Sequence, residues 1–197
     1  MTPDDVRRHF EETGALLSGH FRLSSGLHSD RYLQCARVLQ WPERARSLGA
    51  ALAALLRPFG AAAVVSPAMG GVIVGHEVGR GLDVRALFAE RVDGAFTLRR
   101  GFALQAGERV VVVEDVVTTG KSTREVLDLV RSCGAEPVGC GAIVDRRGAG
   151  APDRVDGVPM RGLLVLDVPA WTPEACPLCA VGETVVTPGS RFLAAKA

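Results

Sequence analysis

From residue 61 onward the chain repeats one rhythm, a short apolar run followed by a glycine or charge-marked break and then a helical stretch. AAAVVSP, VRALFAE, RVVVVED and PVGCGAIVD are apolar runs of strand length, and a later one, RGLLVLDV, begins near residue 161. GGVIVGHEVGRGL and KSTREVLDLVRSCG lie between them and predict helices. Apolar strands alternating with helices predict an α/β fold, a mostly parallel central sheet flanked by helices on both faces. Upstream, PDDVRRHFEETGALL at residues 3–17 sets Val6, Phe10 and Leu17 among charges at helical spacing, with Thr2 as cap and Pro3 in the first turn. HFRLSSGLHSDRYLQ alternates around a Ser-Ser-Gly turn and predicts a small hairpin, followed by a helix from Pro42 to Arg57. Between Glu90 and Arg109, RVDGAFTLRRGFALQAGE breaks the rhythm and reads either as an extra hairpin or as a mobile lid.

Composition narrows the function classes. A chain of 197 residues with 47% hydrophobic content suits a single domain over residues 1–197. Its 23 basic and 22 acidic residues are interspersed and leave a net charge of +1, so no nucleic-acid footprint is expected. Residues 58–75 carry no charge, but prolines and glycines interrupt them, as in a buried strand-loop-helix rather than a membrane span. MTPDDVRRHF has no apolar core for a secretory signal, and the expectation is a soluble cytoplasmic protein with no membrane partner. Five cysteines do not form a secreted disulfide framework. CPLC at residues 176–179 has the spacing of half a zinc site, but no second pair at matching spacing follows, and the alternative is a local turn.

The chemistry concentrates in VVVVEDVVTTGKST. A nucleotide-triphosphate loop requires G-x-x-x-x-G-K-S/T, and counting back from Gly120 puts Asp115 where the first glycine belongs. A compact phosphate monoester still fits, because the segment leaves a buried strand and opens a helix whose first amides are unpaired. Thr118, Thr119, Ser122 and Thr123 add hydroxyls, and Gly120 allows close backbone approach. Glu114 and Asp115 would repel a row of phosphates unless they met hydroxyls or a cation. A ribose 5-phosphate supplies both ends, its phosphate on the loop and its 2- and 3-hydroxyls on the acids. The alternative is a solvated turn leading into a helix capped by Thr or Ser.

VVVVEDVVTTGKS resembles the signature of the type I phosphoribosyltransferases: a hydrophobic strand, two acids, two apolar residues, Thr, a small residue and Gly. HFRLSSGLHSDRYLQ resembles the N-terminal hood of orotate phosphoribosyltransferases, VVSPAMGG their diphosphate loop and AIVDRRG the segment carrying their orotate-binding arginine. With PEACPLC near the C-terminus, the likeness is to a bacterial branch of that family and covers nearly the whole chain. It implies the type I phosphoribosyltransferase fold, with a hood from about residues 1–40 plus a C-terminal segment and a core of about 41–170. It also implies transfer of ribose 5-phosphate from 5-phosphoribosyl 1-diphosphate to orotate, with Mg2+, in a homodimer.

Carried over position by position, the resemblance gives Glu114, Asp115, Val116, Val117, Thr118, Thr119, Gly120, Lys121 and Ser122 to the ribose 5-phosphate. Gly70 and Gly71, within the Ser66-to-Gly71 loop, and Arg91 fall to the diphosphate, and Thr118, Arg146, Tyr32 and Leu33 to orotate. Glu114 and Asp115 take the catalytic role of organising ribose and its cationic transition state, and no metal ligand is assigned among the side chains. Arg146 suits orotate physically, since a planar guanidinium matches a carboxylate. The chain departs from the better-known branch at Ser24 and Gly70, where a lysine often stands, and its only lysines are Lys121 and Lys196. Arg91, Arg99 and Arg100 supply positive charge in the lid segment, but arginine does not readily donate a proton. Two other readings share residues 114–122: a purine-type transferase and a non-catalytic sensor of the sugar diphosphate.

Overall fold

A run of four buried valines is the centre from which the fold is built. The computed structural model describes residues 1–23 and 25–188, so Ser24 and Lys196 lie outside the described residues. The chain opens with α1 (Pro3–Glu12), the hairpin of β1 (Leu16–Arg22) and β2 (His28–Leu33), α2 (Cys35–Leu39) and α3 (Pro42–Leu56). There follow β3 (Ala63–Pro67), α4 (Gly71–Leu82), β4 (Arg85–Val92), β5 (Ala95–Leu98), β6 (Arg109–Val117), α5 (Lys121–Ser132) and β7 (Glu136–Asp145). The two-residue β8 (Arg154–Val155), β9 (Val158–Val165) and α6 (Pro177–Ala180) complete the described chain.

Seven strands form one sheet in the order β5-β4-β3-β6-β7-β9-β8. The five inner strands run parallel, while β5 and β8 pair antiparallel at the two edges. Val111 and Val113 of β6 pack with α3 and α4 through Leu48, Leu52, Leu56, Val74 and Val78. Val110 and Val112 pack on the opposite face with Val126, Leu127 and Val130 of α5. Burial on both faces is why this strand reads as an unbroken apolar run rather than an alternating one. The awkward segment after Glu90 is an extra hairpin in its first half, with Glu90 to Val92 paired to Ala95 to Thr97. Among the described residues no helix is long and apolar enough to cross a membrane.

The opening helix is shorter than its apolar spacing suggests. Thr2 and Asp5 form a reciprocal capping box, the Thr2 hydroxyl accepting from the Asp5 amide at 3.2 Å and the Asp5 carboxylate from the Thr2 amide at 2.8 Å. At the other end Gly14 takes φ of 61°, and the Ala15 amide donates back to the Phe10 carbonyl at 2.7 Å. This glycine stop ends the helix at Glu12, and Leu16 and Leu17 begin β1 instead of a further helical turn. The hairpin β1–β2 forms a separate two-stranded sheet.

Helices α3 and α4 approach closely through glycine. A Cβ placed on Gly49 would lie 2.3 Å from the Glu77 Cβ, an atom fixed to the backbone that no rotamer change can move. Overpacking of this kind costs about 1–3 kcal/mol, whereas the gain in helix propensity from Gly to Ala is about 1 kcal/mol. Gly49→Ala is therefore expected to lower the thermal midpoint by roughly 2–4 °C for each kcal/mol lost. Calorimetry checks this, and an unchanged or raised midpoint would show that the two helices have room to spare.

Candidate active site

The strand order reverses at β3, which has β4 on one side and β6 on the other, and ligands of open α/β sheets bind at the carboxyl ends of strands at such a point. The end of β3 continues through Ala68, Met69 and Gly70 into α4, with a cis peptide between Ala68 and Met69. The end of β6 carries Glu114 and Asp115 and continues through Thr118 and Thr119 into α5. These two strand ends meet. A Cβ on Gly70 would fall 2.7 Å from an Asp115 carboxylate oxygen, and one on Gly71 would fall 3.0 Å from the Val113 carbonyl. Glycine at both positions lets the β3 loop lie against the acid pair, so the structure brings Gly70 and Gly71 together with Asp115.

The acids sit where the packing of β6 changes phase. Val111 and Val113 face the α3–α4 side, yet Val116 packs with that side and Val117 with the other. The reversal falls at Glu114 and Asp115. Glu114 is only 8% exposed, and burial with the neighbouring charge of Asp115 pushes its carboxyl up to about 8, partly offset by Arg91. Burial raises Asp115 as well, opposed by the hydrogen bond it accepts from the Val116 amide at 2.9 Å. Neither acid makes an ion pair among the described residues. The Asp115 charge also reaches Cys35, whose buried thiol is pushed well above its ordinary value.

The loop after β6 has the form of an anion cradle. Gly120 is the N-cap of α5 with φ of 73°, and no side chain caps the helix, in contrast to the capping box of α1. Apart from the Lys121 amide, the amides of the first turn keep their donors for a ligand. Thr118 and Thr119 are exposed, Ser122 is half-buried, and Thr123 is buried against the sheet. The Thr119 hydroxyl accepts from the Lys121 amide at 3.3 Å, while the Lys121 ammonium turns outward to Glu125 at 4.0 Å.

Arg146 stands beside this loop, its amide donating to the Val117 carbonyl at 2.8 Å. Its Nε is buried without a hydrogen-bond partner among the described residues, and burial pulls the guanidinium below its usual value. The adjacent Arg147 is fully engaged, donating to both carboxylate oxygens of Asp145 at 3.0 and 2.7 Å. One arginine of the pair thus braces the strand end, and the other is left with unmet donors.

The remaining positions are arranged less directly. Arg91 lies 4.1 Å over the Phe96 ring, donates to the Gly94 carbonyl at 2.6 Å and pairs with Glu125. Arg100 pairs with Glu90 at 2.9 Å, and Arg99 is exposed with no ion pair among the described residues. Tyr32 packs on Phe21 and donates its hydroxyl to the Gln34 side chain at 3.0 Å, burial raising its phenol. Leu33, next along the strand and hence on its other face, packs against the main core. Glu125, which holds both Arg91 and Lys121, has no place among the sequence-derived site residues. Its i,i+4 spacing from Lys121 on α5 is the signal that points to it.

A family model for the phosphoribosyl transferase domain matches residues 35–161, which contain both strand ends and Arg146. The chain therefore belongs to the phosphoribosyltransferase family. It is 53% identical over 191 residues to an orotate phosphoribosyltransferase of Pelotomaculum thermopropionicum, covering 97% of this chain and 99% of that one. It is 51% identical over 189 residues to an orotate phosphoribosyltransferase of Thermotoga maritima, covering 95% and 99%. The crystal structure of orotate phosphoribosyltransferase from Aeropyrum pernix superposes with a TM-score of 0.69 at 27% identity, covering 82% of this chain and 93% of that one. Similarity of this extent places the chain in the orotate branch of the family.

Glu114 gives the site a pH signature. A carboxyl at about 8 in the folded chain and near 4.5 when unfolded binds its proton more tightly in the folded state. Its contribution is harmless below about pH 4.5 and erodes stability as pH rises toward 8, by on the order of a few kcal/mol. Glu114→Gln is expected to flatten this decline in urea-unfolding profiles between pH 5 and pH 9 in the ligand-free protein. Parallel profiles for the two proteins would mean that Glu114 is not held in a desolvated state.

Proposed function

We infer that the protein transfers the 5-phosphoribosyl group from 5-phosphoribosyl 1-diphosphate to orotate, releasing diphosphate and forming orotidine 5-phosphate for pyrimidine nucleotide synthesis. The observation that carries the choice of base is Arg146, a half-buried guanidinium with an unmet Nε donor beside Thr118. Orotate brings a carboxylate that can accept from such a fork. A purine has none, and a non-catalytic sensor has no need for a base site.

In this reading the phosphate of the ribose sits on Thr118 to Ser122 and the first amides of α5, and its 2- and 3-hydroxyls donate to Asp115 and Glu114. Hydroxyl donors favour the ionised acids, which then face the positive charge that develops at the anomeric carbon as its bond to diphosphate breaks. The new bond forms from that carbon to the ring nitrogen of orotate, whose proton is taken up by the departing diphosphate. The acids act by charge and position rather than as a base. Gly70 and Gly71 present the β3 loop to the diphosphate, and Tyr32 borders the orotate on the hairpin, with Leu33 anchoring that strand to the core from its other face.

The donor chemistry fits Mg2+, a hard cation that takes oxygen ligands and retains substrate and water oxygens. Glu114, buried, and Asp115, half-buried, an acid pair without an ion-pair partner among the described residues, would face it across the ribose hydroxyls. Bound with the sugar diphosphate, Mg2+ supplies charge neutralisation on the leaving group. The β4–β5 hairpin and the loop beyond it carry Arg91, Arg99 and Arg100, and Arg99 is the one whose charge is unpaired among the described residues. We assign it the diphosphate contact that lysine makes elsewhere in the family. The working unit is a cytoplasmic homodimer, as is usual for the family.

Loss of orotate absorbance on adding 5-phosphoribosyl 1-diphosphate and Mg2+ tests the reading, with hypoxanthine, xanthine and adenine as competing bases. Arg146→Ala is expected to lower kcat/KM for orotate by roughly 10- to 100-fold, the worth of a charge-assisted hydrogen bond. Consumption of a purine in place of orotate, or an unaffected Arg146→Ala enzyme, contradicts it. Asp115→Asn is expected to lower kcat severely while the fold, followed by circular dichroism, is retained. Near-normal turnover would remove Asp115 from the catalytic role.

A further inference from the structure

The hairpin β1–β2 and the segment after β9 are joined by four side chains that the transferase chemistry leaves unused. His20, His28 and Cys176 are buried at 2%, 6% and 2% exposure, and Cys179 lies at the surface. Each offers one donor atom, and the four atoms all lie within 4.8 Å of one another. His20 Nε2 is 2.8 Å from His28 Nδ1, 3.5 Å from Cys176 Sγ and 3.6 Å from Cys179 Sγ, and Cys179 Sγ is 3.2 Å from His28 Nδ1. A tetrahedral zinc ion with sulfur at about 2.3 Å and nitrogen at about 2.0–2.1 Å spaces its donors by roughly 3.3–3.8 Å. The 3.5 and 3.6 Å separations fall within that range and the 3.2 Å one just short of it, the two imidazole nitrogens at 2.8 Å are about half an ångström closer, and the remaining pairs lie within 4.8 Å.

The geometry points to a structural zinc site made by His20, His28, Cys176 and Cys179. Two thiolates and two neutral imidazoles balance the charge of a divalent ion, which suits a buried place, and this soft donor set selects zinc over the hard cations. His20 Nδ1 donates to the Glu183 carbonyl at 2.7 Å, which turns the lone pair of Nε2 toward the other donors, as metal-bound histidines require. Four protein donors leave no open position, so the ion holds structure and does no chemistry. A disulfide between the two cysteines would need no histidine, let alone two buried ones.

The ion's consequence follows from what it joins. Backbone pairs flank the cluster on both sides: Arg22 and His20 with Val186 at 2.9 and 2.8 Å, and His28 with Trp171 at 2.8 and 2.9 Å. These bonds lie on a two-stranded sheet and a segment with little regular structure, where few contacts resist opening. Zinc closes the two pieces into one unit and fixes the strand that carries Tyr32. The metal site stands whether or not orotate is the base, because its readout is the metal.

The full chain, isolated without a metal-affinity column, is assayed for zinc by mass spectrometry and for thiols with a chromogenic reagent. Stoichiometric zinc is expected, with Cys176 and Cys179 reacting only after chelation. Protein that holds negligible zinc and takes none from a chromogenic zinc chelator, or a Cys176–Cys179 disulfide in freshly isolated material, overturns the site. Cys179→Ser, at an exposed position, is expected to lower zinc affinity beyond the roughly 10- to 100-fold loss that follows removal of an outer partner. Cobalt titrated into metal-free wild-type protein should give the intense visible bands of a tetrahedral thiolate complex, weakened in that variant. An unchanged affinity and spectrum would remove Cys179 from the donor set. Chelation should also speed amide exchange in residues 16–33 and 171–186 while the seven-stranded sheet stays protected, and unchanged exchange there contradicts the stapling role.

Discussion

Two adjacent carboxylates at the end of a strand buried on both faces are the constraint around which this protein is arranged. A charge in such a place is unfavourable unless it finds a partner. The chain gives Glu114 and Asp115 no ion pair among the described residues, and Glu114 holds its proton up to about pH 8. What relieves the acids must come from outside, and hydroxyls and a divalent cation are the groups able to do so. Ligand affinity and the instability of the empty site are then two sides of the same burial.

The surrounding structure keeps that place open. Gly70 brings the β3 loop against Asp115, where any side chain would collide with its carboxylate, and Gly71 lies against the Val113 carbonyl. Gly120 starts α5 without a side-chain cap, leaving its amides for a phosphate. Positive charge is held nearby but occupied: Arg91 and Lys121 are drawn to Glu125, and Arg100 to Glu90. A polyanion near the β4–β5 hairpin would have to compete with Glu125 and Glu90 for these arginines.

Much of this was legible in the letters of the chain, because the signals were local. The valines of β6 announce a strand buried on both sides, and the phosphate loop is read within a dozen residues by the glycine it lacks at position 115 and the hydroxyls it carries. Arg146 required the resemblance, since DRR by itself does not say which arginine is braced and which is free; the contacts of Asp145 with Arg147 settle that. Where reading by spacing erred, a backbone feature intervened, as at Gly14, whose left-handed conformation ends α1 before Leu16 and Leu17. The cluster of His20, His28, Cys176 and Cys179 is not legible for a different reason. No second cysteine pair follows CPLC, and the side chains that meet it are histidines some 150 residues upstream, on either side of a hairpin turn. Only the folding of the C-terminal segment onto that hairpin makes the four a set.

The measurement that bears most directly on the central claim is the titration of the Glu114 carboxyl itself. Its carbon resonance, in protein labelled at glutamate carboxyls and assigned with Glu114→Gln, can be followed against pH with and without 5-phosphoribosyl 1-diphosphate and Mg2+. The account predicts a midpoint near 8 in the free protein and a clear downward shift when the sugar diphosphate binds. An ordinary carboxyl midpoint in the free protein, or one that binding leaves unmoved, would contradict it.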